Sequence, residues 1–505
     1  MLSATTLLKH NQKLTEKDLA IDNKGYTSYE RYKDDCRKYL LSKITNEYIT
    51  MDAQSKKNFD ETQITDYVHR NSFPVEGFVN DDNSMNFAEL IEALIRDLTD
   101  YGILTPFLND PTVTEIQINE LDAIFVERNG KTALVVDDNG NNLRFESQDQ
   151  LLTLINRLIN NDGEENKKIS ETNALVNAVS QQGYRISVTD KSVSPPGVSP
   201  YKNRSYSVAI RKPNPTRFTY EELVENGTLT DECARFLRVV NESGCNYFTV
   251  GPTGSGKTSL ISTMAENTPH TTRVLVIQSP SELDMTVYDE NDNIINNVVH
   301  WEARDIPRGL DKANSGYPSV GNCISHSLRF TPHKVIVGEV RRPEEFFELI
   351  REGLTGHIIV SSFHAHDSKQ AIERAVAEIA PSVGDIELSY RYICSNMHFI
   401  VVQKRLQDGT RRILEVAEVT GYDPLKRQPI INLIFKFTPT GVVEYEDGTT
   451  DYKIGKKIKY IHGVLKRVGS ISSDRLREML LEGIALEQIQ EFVNDEDIKK
   501  VVSGQ

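Results

Sequence analysis

The octapeptide Gly251-Pro-Thr-Gly-Ser-Gly-Lys-Thr258 constrains this chain more than any other stretch. It satisfies the pattern G-x-x-x-x-G-K-[ST], in which glycines let successive backbone N–H groups point inward at a polyphosphate. Lys257 reaches phosphate oxygens as a point charge, and the Thr258 hydroxyl is placed to ligate Mg²⁺. The flanks supply the geometry. Tyr247-Phe-Thr-Val250 reads as a buried strand, and Ser259-Leu-Ile-Ser-Thr-Met264 as the start of a helix. Strand, glycine loop and helix together set an anion on a helix N-terminus. Gly251, Pro252, Thr253, Gly254, Ser255, Gly256, Lys257, Thr258 and Ser259 are therefore the candidate nucleotide-binding residues. The flanks disfavour the alternative, a glycine-rich surface turn.

At 505 residues the chain is too long for one core, so roughly two to four domains are expected. The net charge of −15 argues against direct nucleic-acid binding and against a polybasic membrane anchor. Cys36, Cys233, Cys245, Cys323 and Cys394 are scattered and never in C-x-x-C spacing, so neither a disulfide framework nor a zinc site is expected. Met1 to His10 lacks a signal-peptide apolar region, and the longest apolar runs are about seven residues against the roughly 20 that span a bilayer. The expectation is a cytoplasmic chain whose membrane contact runs through partners.

Residues 1–84 read as a helical N-terminal appendage and linker, with Tyr29, Tyr32, Cys36, Tyr39, Leu40 and Ile44 forming one amphipathic stripe, and a partly disordered tail is an equal alternative. Residues 85–213 read as an α+β domain. A helical stripe runs from Phe87 to Leu98, and Thr114–Asn119 and Ala123–Arg128 alternate as half-buried strands. Lys131–Asp137 continues the sheet, and a helix opens after Ser147. Tyr184–Val188 and Tyr206–Arg211 are further strands, separated by the loop Ser194-Pro-Pro-Gly-Val-Ser-Pro200. Pro213-Asn-Pro215 breaks the chain. Residues 214–440 then alternate strand and helix, implying a parallel sheet. Thr219-x-x-Glu222 is a capping box, and Val274–Gln278, Lys334–Gly338 and His357–Ser361 are runs of buried-strand type. Asp408-Gly409 signals a hairpin, expected at the sheet's far edge. Residues 441–505 form a partly helical appendage, with a helical region from Ser473 to Val493.

Nucleotide hydrolysis needs an acid beside Mg²⁺, a group that activates water, and positive charge for the transition state. Such groups belong at the carboxyl ends of strands beside the phosphate loop. Glu339 directly follows the run Val335-Ile-Val-Gly338 and fits the Mg²⁺ role, against the alternative of a strand-end surface carboxylate. Glu282 follows the Val274–Ile277 strand and fits water activation; an exposed loop carboxylate is its alternative reading. His357 and His364 bracket the run Ile358–Phe363, where periodicity leaves structural and functional roles evenly balanced.

The order of GPTGSGKTS, SPSEL, VIVGEVRRPEE and LTGHIIVSSFHA resembles the ATPases of type II and type IV secretion and of type IV pili. Those four segments correspond to that superfamily's Walker A, aspartate-box, Walker B and histidine-box motifs. Gly102–Asn119, Phe125–Gly130, Gly183-Tyr-Arg185 and Ile210-Arg-Lys212 are similar to the N-terminal domain of its tight-adherence pilus and VirB-like branch. The resemblance implies a RecA-like parallel-sheet domain preceded by a PAS-like α+β domain. It also implies ATP and Mg²⁺ as ligands, Lys257 and Thr258 on phosphate and metal, Glu339 as metal-side acid and Glu282 as water activator. His357 and His364 become the histidine-box pair, and Arg185 and Arg211 the arginines that approach the nucleotide when the domains close. One departure stands out: the family's usual acidic pair is replaced by Gln278-Ser279, which implies missing negative charge near the Mg²⁺ shell.

The reading that follows is a homo-hexameric ATPase driving a polytopic membrane platform of a secretion or pilus system. Gln278-Ser279 motivates an alternative, a nucleotide-binding scaffold of a type IV or conjugative system with little hydrolysis. A monomeric small-molecule phosphotransferase is a third.

Overall fold

The computed structural model describes residues 26–43, 53–80, 84–98, 101–128, 131–137, 140–159, 169–180, 182–193, 205–213, 217–279, 281–304, 318–444 and 458–502. The N-terminal decapeptide, the 194–200 loop and most of the 213–215 break lie outside them. The chain divides into two compact units, Met1–Lys212 and Pro213–Gln505.

The first unit opens with α1 (Tyr29–Ser42), α2 (Ala53–Arg70) and α3 (Phe87–Leu98). Tyr32 and Cys36 of α1, Ile64 and Val68 of α2, and Leu90, Leu94 and Leu98 of α3 form one shared core. The stripe that begins at Phe87 thus buries against α1 and α2. The short α4 (Thr105–Asn109) leads into β1 (Val113–Glu120), β2 (Ala123–Arg128), β3 (Lys131–Leu134), α5 (Gln148–Ile159), β4 (Leu175–Val179), β5 (Arg185–Thr189) and β6 (Ser207–Arg211). Ser147 Oγ accepts from the Gln150 amide 3.2 Å away, starting α5. All six strands pair antiparallel in the order β3-β2-β1-β6-β5-β4. Alternate residues such as Ile116, Ile118, Ile186 and Ile210 meet Leu151, Leu154, Ile155 and Leu158 of α5 in one core, which is the period-2 pattern of a half-buried sheet.

The second unit contains α6 (Tyr220–Glu225), α7 (Asp231–Glu242), β7 (Tyr247–Val250), α8 (Lys257–Ala265), β8 (Val274–Gln278), β9 (Val298–Glu302), α9 (Val320–Ser327), β10 (Lys334–Val337), α10 (Pro343–Leu354), β11 (Ile358–Phe363), α11 (Ser368–Val383), α12 (Ile386–Asn396), β12 (Phe399–Arg405), β13 (Arg411–Asp423), β14 (Gln428–Glu444), β15 (Ile458–Arg467), α13 (Ser473–Leu481), α14 (Leu486–Ile489) and α15 (Asp495–Val502). The capping box at Thr219 and Glu222 is formed in both directions. One mixed nine-stranded sheet runs β15-β14-β13-β12-β7-β11-β10-β8-β9. From β12 to β9 every pairing is parallel; from β12 to β15 every pairing is antiparallel. Both faces of the parallel part are covered. Tyr247, Val276 and Ile336 point into a core with α7 and α8, while Phe248, Ile277 and Val335 point into one with α10 and α11. Burial on both sides explains why these strands read as continuous apolar runs.

Two expectations change. The Asp408-Gly409 hairpin does join β12 to β13, but β12 pairs directly with β7, so the hairpin stands beside the phosphate loop instead of at the far edge. The Ser473–Val493 region is broken at Gly483, whose φ of +89° suits glycine, and residues 490–492 form a 3₁₀ turn. Among the described residues no helix is long and apolar enough to cross a membrane.

Candidate active site

Parallel strands bring their carboxyl ends to one edge, and here β7, β11, β10 and β8 deliver Gly251, His364, Glu339 and Glu282 there. In the phosphate loop, Gly254 and Gly256 have φ of +74° and +95°, left-handed values that turn the backbone inward. Gly256 begins α8 without any side-chain cap, so the helix offers its first-turn N–H groups to an external acceptor. Ser255 Oγ is fully buried in the loop and makes no hydrogen bond among the described residues. An uncapped helix start and an orphan hydroxyl around a glycine cradle fit a triphosphate.

Lys257 is buried, and its Nζ lies 3.0 Å from the Gly251 carbonyl and 3.2 Å from that of Pro252. His364 reaches the same place from β11. Its Nδ1 is 3.0 Å from the Gly251 carbonyl and 3.4 Å from Lys257 Nζ; its Nε2 is 3.1 Å from Glu339 Oε1. Glu339 is held on its other oxygen by Arg341, whose Nε donates across 2.6 Å. Arg341 is itself fixed by the start of α10, because the Glu345 carboxylate accepts its backbone N–H at 2.7 Å. Thr258 follows Lys257 in the first turn of α8 and is half-buried.

Glu282 sits in the turn after β8, with its backbone N–H bound to Gln278 Oε1 at 2.7 Å. The turn is tied to the opening of the second unit: Arg217 donates to the Asp284 carbonyl, and Thr263 of α8 donates to the Phe218 carbonyl at 2.6 Å. His357 is not brought into this constellation. It precedes β11 and bonds through Nδ1 to Thr355 Oγ1 at 2.9 Å. Seven residue steps of about 3.3 Å each, spanning β11, put it roughly 23 Å from His364. Arg185 and Arg211 belong to the first unit, where they face each other as register partners across β5 and β6.

Sequence reasoning missed the hairpin's contribution. Gln403 of β12 lies so close that a Cβ on Gly251 would stand 1.9 Å from its carbonyl oxygen. Arg411 of β13 donates from Nε to the Gly254 carbonyl at 3.1 Å. The signal was there, as Arg405, Arg411 and Arg412 flank the turn. Arg341 lies within VIVGEVRRPEE, where the local pattern does not distinguish it from Arg342.

A model of the family described as "Type II/IV secretion system protein" matches residues 97–415, well over half of the chain. The chain belongs to this secretion-system family. Over 349 residues it is 25% identical to the type IV secretion system protein VirB11 of Brucella suis biovar 1, covering 64% of this chain and 88% of that one. Over 449 residues it is 23% identical to an uncharacterised protein of Methanocaldococcus jannaschii, covering 86% and 74%. Among solved structures it is similar to the ATPase DotB of Legionella pneumophila, with 20% identity, TM-score 0.43 and coverage of 63% and 80%. It is also similar to the pilus retraction motor PilT with bound ADP, with 17% identity, TM-score 0.42 and coverage of 77% and 93%.

Proposed function

We propose that this family member is an ATP-hydrolysing motor that works as a homo-hexamer on a polytopic membrane platform, at the cytoplasmic face of a secretion or pilus system. Family membership supports the ATPase reading. The observation that carries it is the convergence of Lys257, His364 and Glu339 beside an uncapped helix start. In this reading the second unit's parallel sheet is RecA-like and residues 85–213 are PAS-like, between appendages at 1–84 and 441–505. The tight-adherence and VirB-like branch is the proposed position within the family.

Residues 251–259 would hold the triphosphate, and Thr258 and Glu339 the Mg²⁺. Bound Mg²⁺ supplies positive charge to the β- and γ-phosphate oxygens. Lys257 adds a second positive charge from a buried position, where charge acts through a lower effective dielectric. Glu282 orients or deprotonates the attacking water. His364 links the loop to Glu339 and so couples phosphate binding to the acid. His357, at the opposite edge of the sheet, is assigned to a subunit interface. Arg185 and Arg211 are assigned to charge stabilisation from the N-terminal domain.

Phosphate release by hexameric fractions tests this, with Lys257→Ala and Glu282→Gln as controls. Activity in the wild type and its loss in both variants supports the motor. Equal inactivity of all three as assembled, nucleotide-bound hexamers favours the scaffold.

A further inference from the structure

We propose that Gln278 is a positioning residue for Glu282, clamping the turn that carries this acid to the strand end beside Glu339. The inference rests on the reading of Glu282 as the water-activating carboxylate. Gln278 closes β8 and is only 3% exposed. Its side chain faces the turn and not the phosphate loop. Oε1 accepts from the Glu282 N–H at 2.7 Å and from the Leu283 N–H at 2.6 Å. Nε2 donates to the Leu283 carbonyl at 2.9 Å and reaches Ser281 Oγ at 3.4 Å. Backbone N–H groups only donate, so the amide orientation is fixed by its partners. The stem is packed too, with Cγ 3.2 Å from where a Cβ on Gly338 would stand. One buried side chain therefore touches the backbone of Glu282 and the residue preceding Glu339.

An amide is the group this turn requires. Three backbone partners ask for two acceptor contacts on one side and a donor on the other. A carboxylate would meet both N–H groups, but its second oxygen would oppose the Leu283 carbonyl, and it would bury a charge next to two working acids. Gln278 thus substitutes a neutral clamp for the acidic residue the family resemblance implies at this position. The chain departs from that pattern without losing control of Glu282.

The test uses the full chain with Gln278→Met, which keeps length and removes every bond, and Gln278→Glu, which keeps the acceptors. Two readouts are needed. The first is hydrogen exchange of the 282 and 283 amides in nucleotide-free protein. The second is kcat and KM for ATP, each in wild-type and Glu282→Gln backgrounds. Gln278→Met is expected to speed exchange of both amides about tenfold or more. It is expected to lower kcat about tenfold with KM within about twofold, and to cause no further loss in the Glu282→Gln background. Gln278→Glu is expected to fall between, which separates clamping from misfolding. Wild-type exchange at 282 and 283 in both variants overturns the clamp. Losses that multiply in the Glu282→Gln background place the effect elsewhere and overturn the positioning role. Faster exchange beside a Glu282→Gln enzyme of undiminished kcat instead locates the failure in the role given to Glu282, and overturns the catalytic half of the proposal.

Discussion

His364 bridges the phosphate loop and the strand-end acid: its Nδ1 is 3.0 Å from the Gly251 carbonyl, and its Nε2 is 3.1 Å from Glu339 Oε1. A ring in this position would set the distance between the loop proposed to bind phosphate and the carboxylate proposed to meet the metal. Replacing it with alanine removes the tie but leaves the buried strand Ile358–Phe363 intact. His364→Ala is expected to cut phosphate release about 10- to 100-fold while nucleotide affinity changes by less than about threefold, the behaviour of an orienting partner. Fluorescent-nucleotide titration beside steady-state phosphate release separates the two quantities.

Arg411 makes the matching contact from the hairpin side, donating to the Gly254 carbonyl. Its loss frees the middle of the loop without touching Lys257. Arg411→Met is expected to weaken nucleotide binding by about 1–2 kcal/mol, the worth of a charge-assisted hydrogen bond, which is roughly 5- to 30-fold in affinity. Direct titration checks it.

Gly251 admits no side chain. A Cβ there would lie 1.9 Å from the Gln403 backbone oxygen and 2.8 Å from Ser255 Oγ. Since β12 pairs with all four residues of β7 up to Val402, directly before Gln403, the strand has little room to retreat. Gly251→Ala is expected to lower stability by about 2–4 kcal/mol, in the range of overpacked or strained buried sites, and to abolish nucleotide binding. Chemical denaturation and titration read the two effects.

A pH effect is expected far from the loop. Glu352 of α10 is 1% exposed, and burial raises its pKa from 4.5 to about 7. Ser327 Oγ stands 2.8 and 2.9 Å from its two oxygens and 2.6 Å from the Ile324 carbonyl. One hydroxyl hydrogen serves one acceptor, so a protonated Glu352 donating to Ser327, which donates on to Ile324, satisfies the set. Between pH 4.5 and about 7 the folded chain therefore binds more protons than the unfolded chain. Stability falls as pH rises through that window and levels off above it. Glu352→Gln is expected to flatten this dependence and to stabilise the protein at pH 8 by up to about 3 kcal/mol. Thermal melts at several pH values check the sign.

Much of the site was legible because its strands are buried on both faces, so Val274–Gln278, Lys334–Val337 and Ile358–Phe363 announce themselves as apolar runs with an acid or histidine at the end. What was hidden follows from physics that local pattern does not carry. β14 contains Pro429 and Pro439, which mask its 17 residues as a strand. Among the described side chains of α2 only Ile64, Tyr67 and Val68 are buried, too few to stand out as a stripe. Strand order is non-local, so nothing near Asp408-Gly409 says that β12 lies against β7, and Arg411 went unnoticed for that reason. In sequence Gln278 reads as a missing charge because sequence does not show which way a side chain turns; the structure turns it into the 281–283 turn. His357 and His364 flank the two ends of one strand, and its extended rise per residue separates them in space.

The most direct test of the account is the rate of phosphate release from Mg²⁺·ATP by wild-type protein and Glu282→Gln at matched nucleotide occupancy. The account predicts turnover by the wild type and a fall of about 10²- to 10⁴-fold in the variant, the contribution of a positioned general base, with ATP still bound. Equal rates in the two proteins at full occupancy would contradict it.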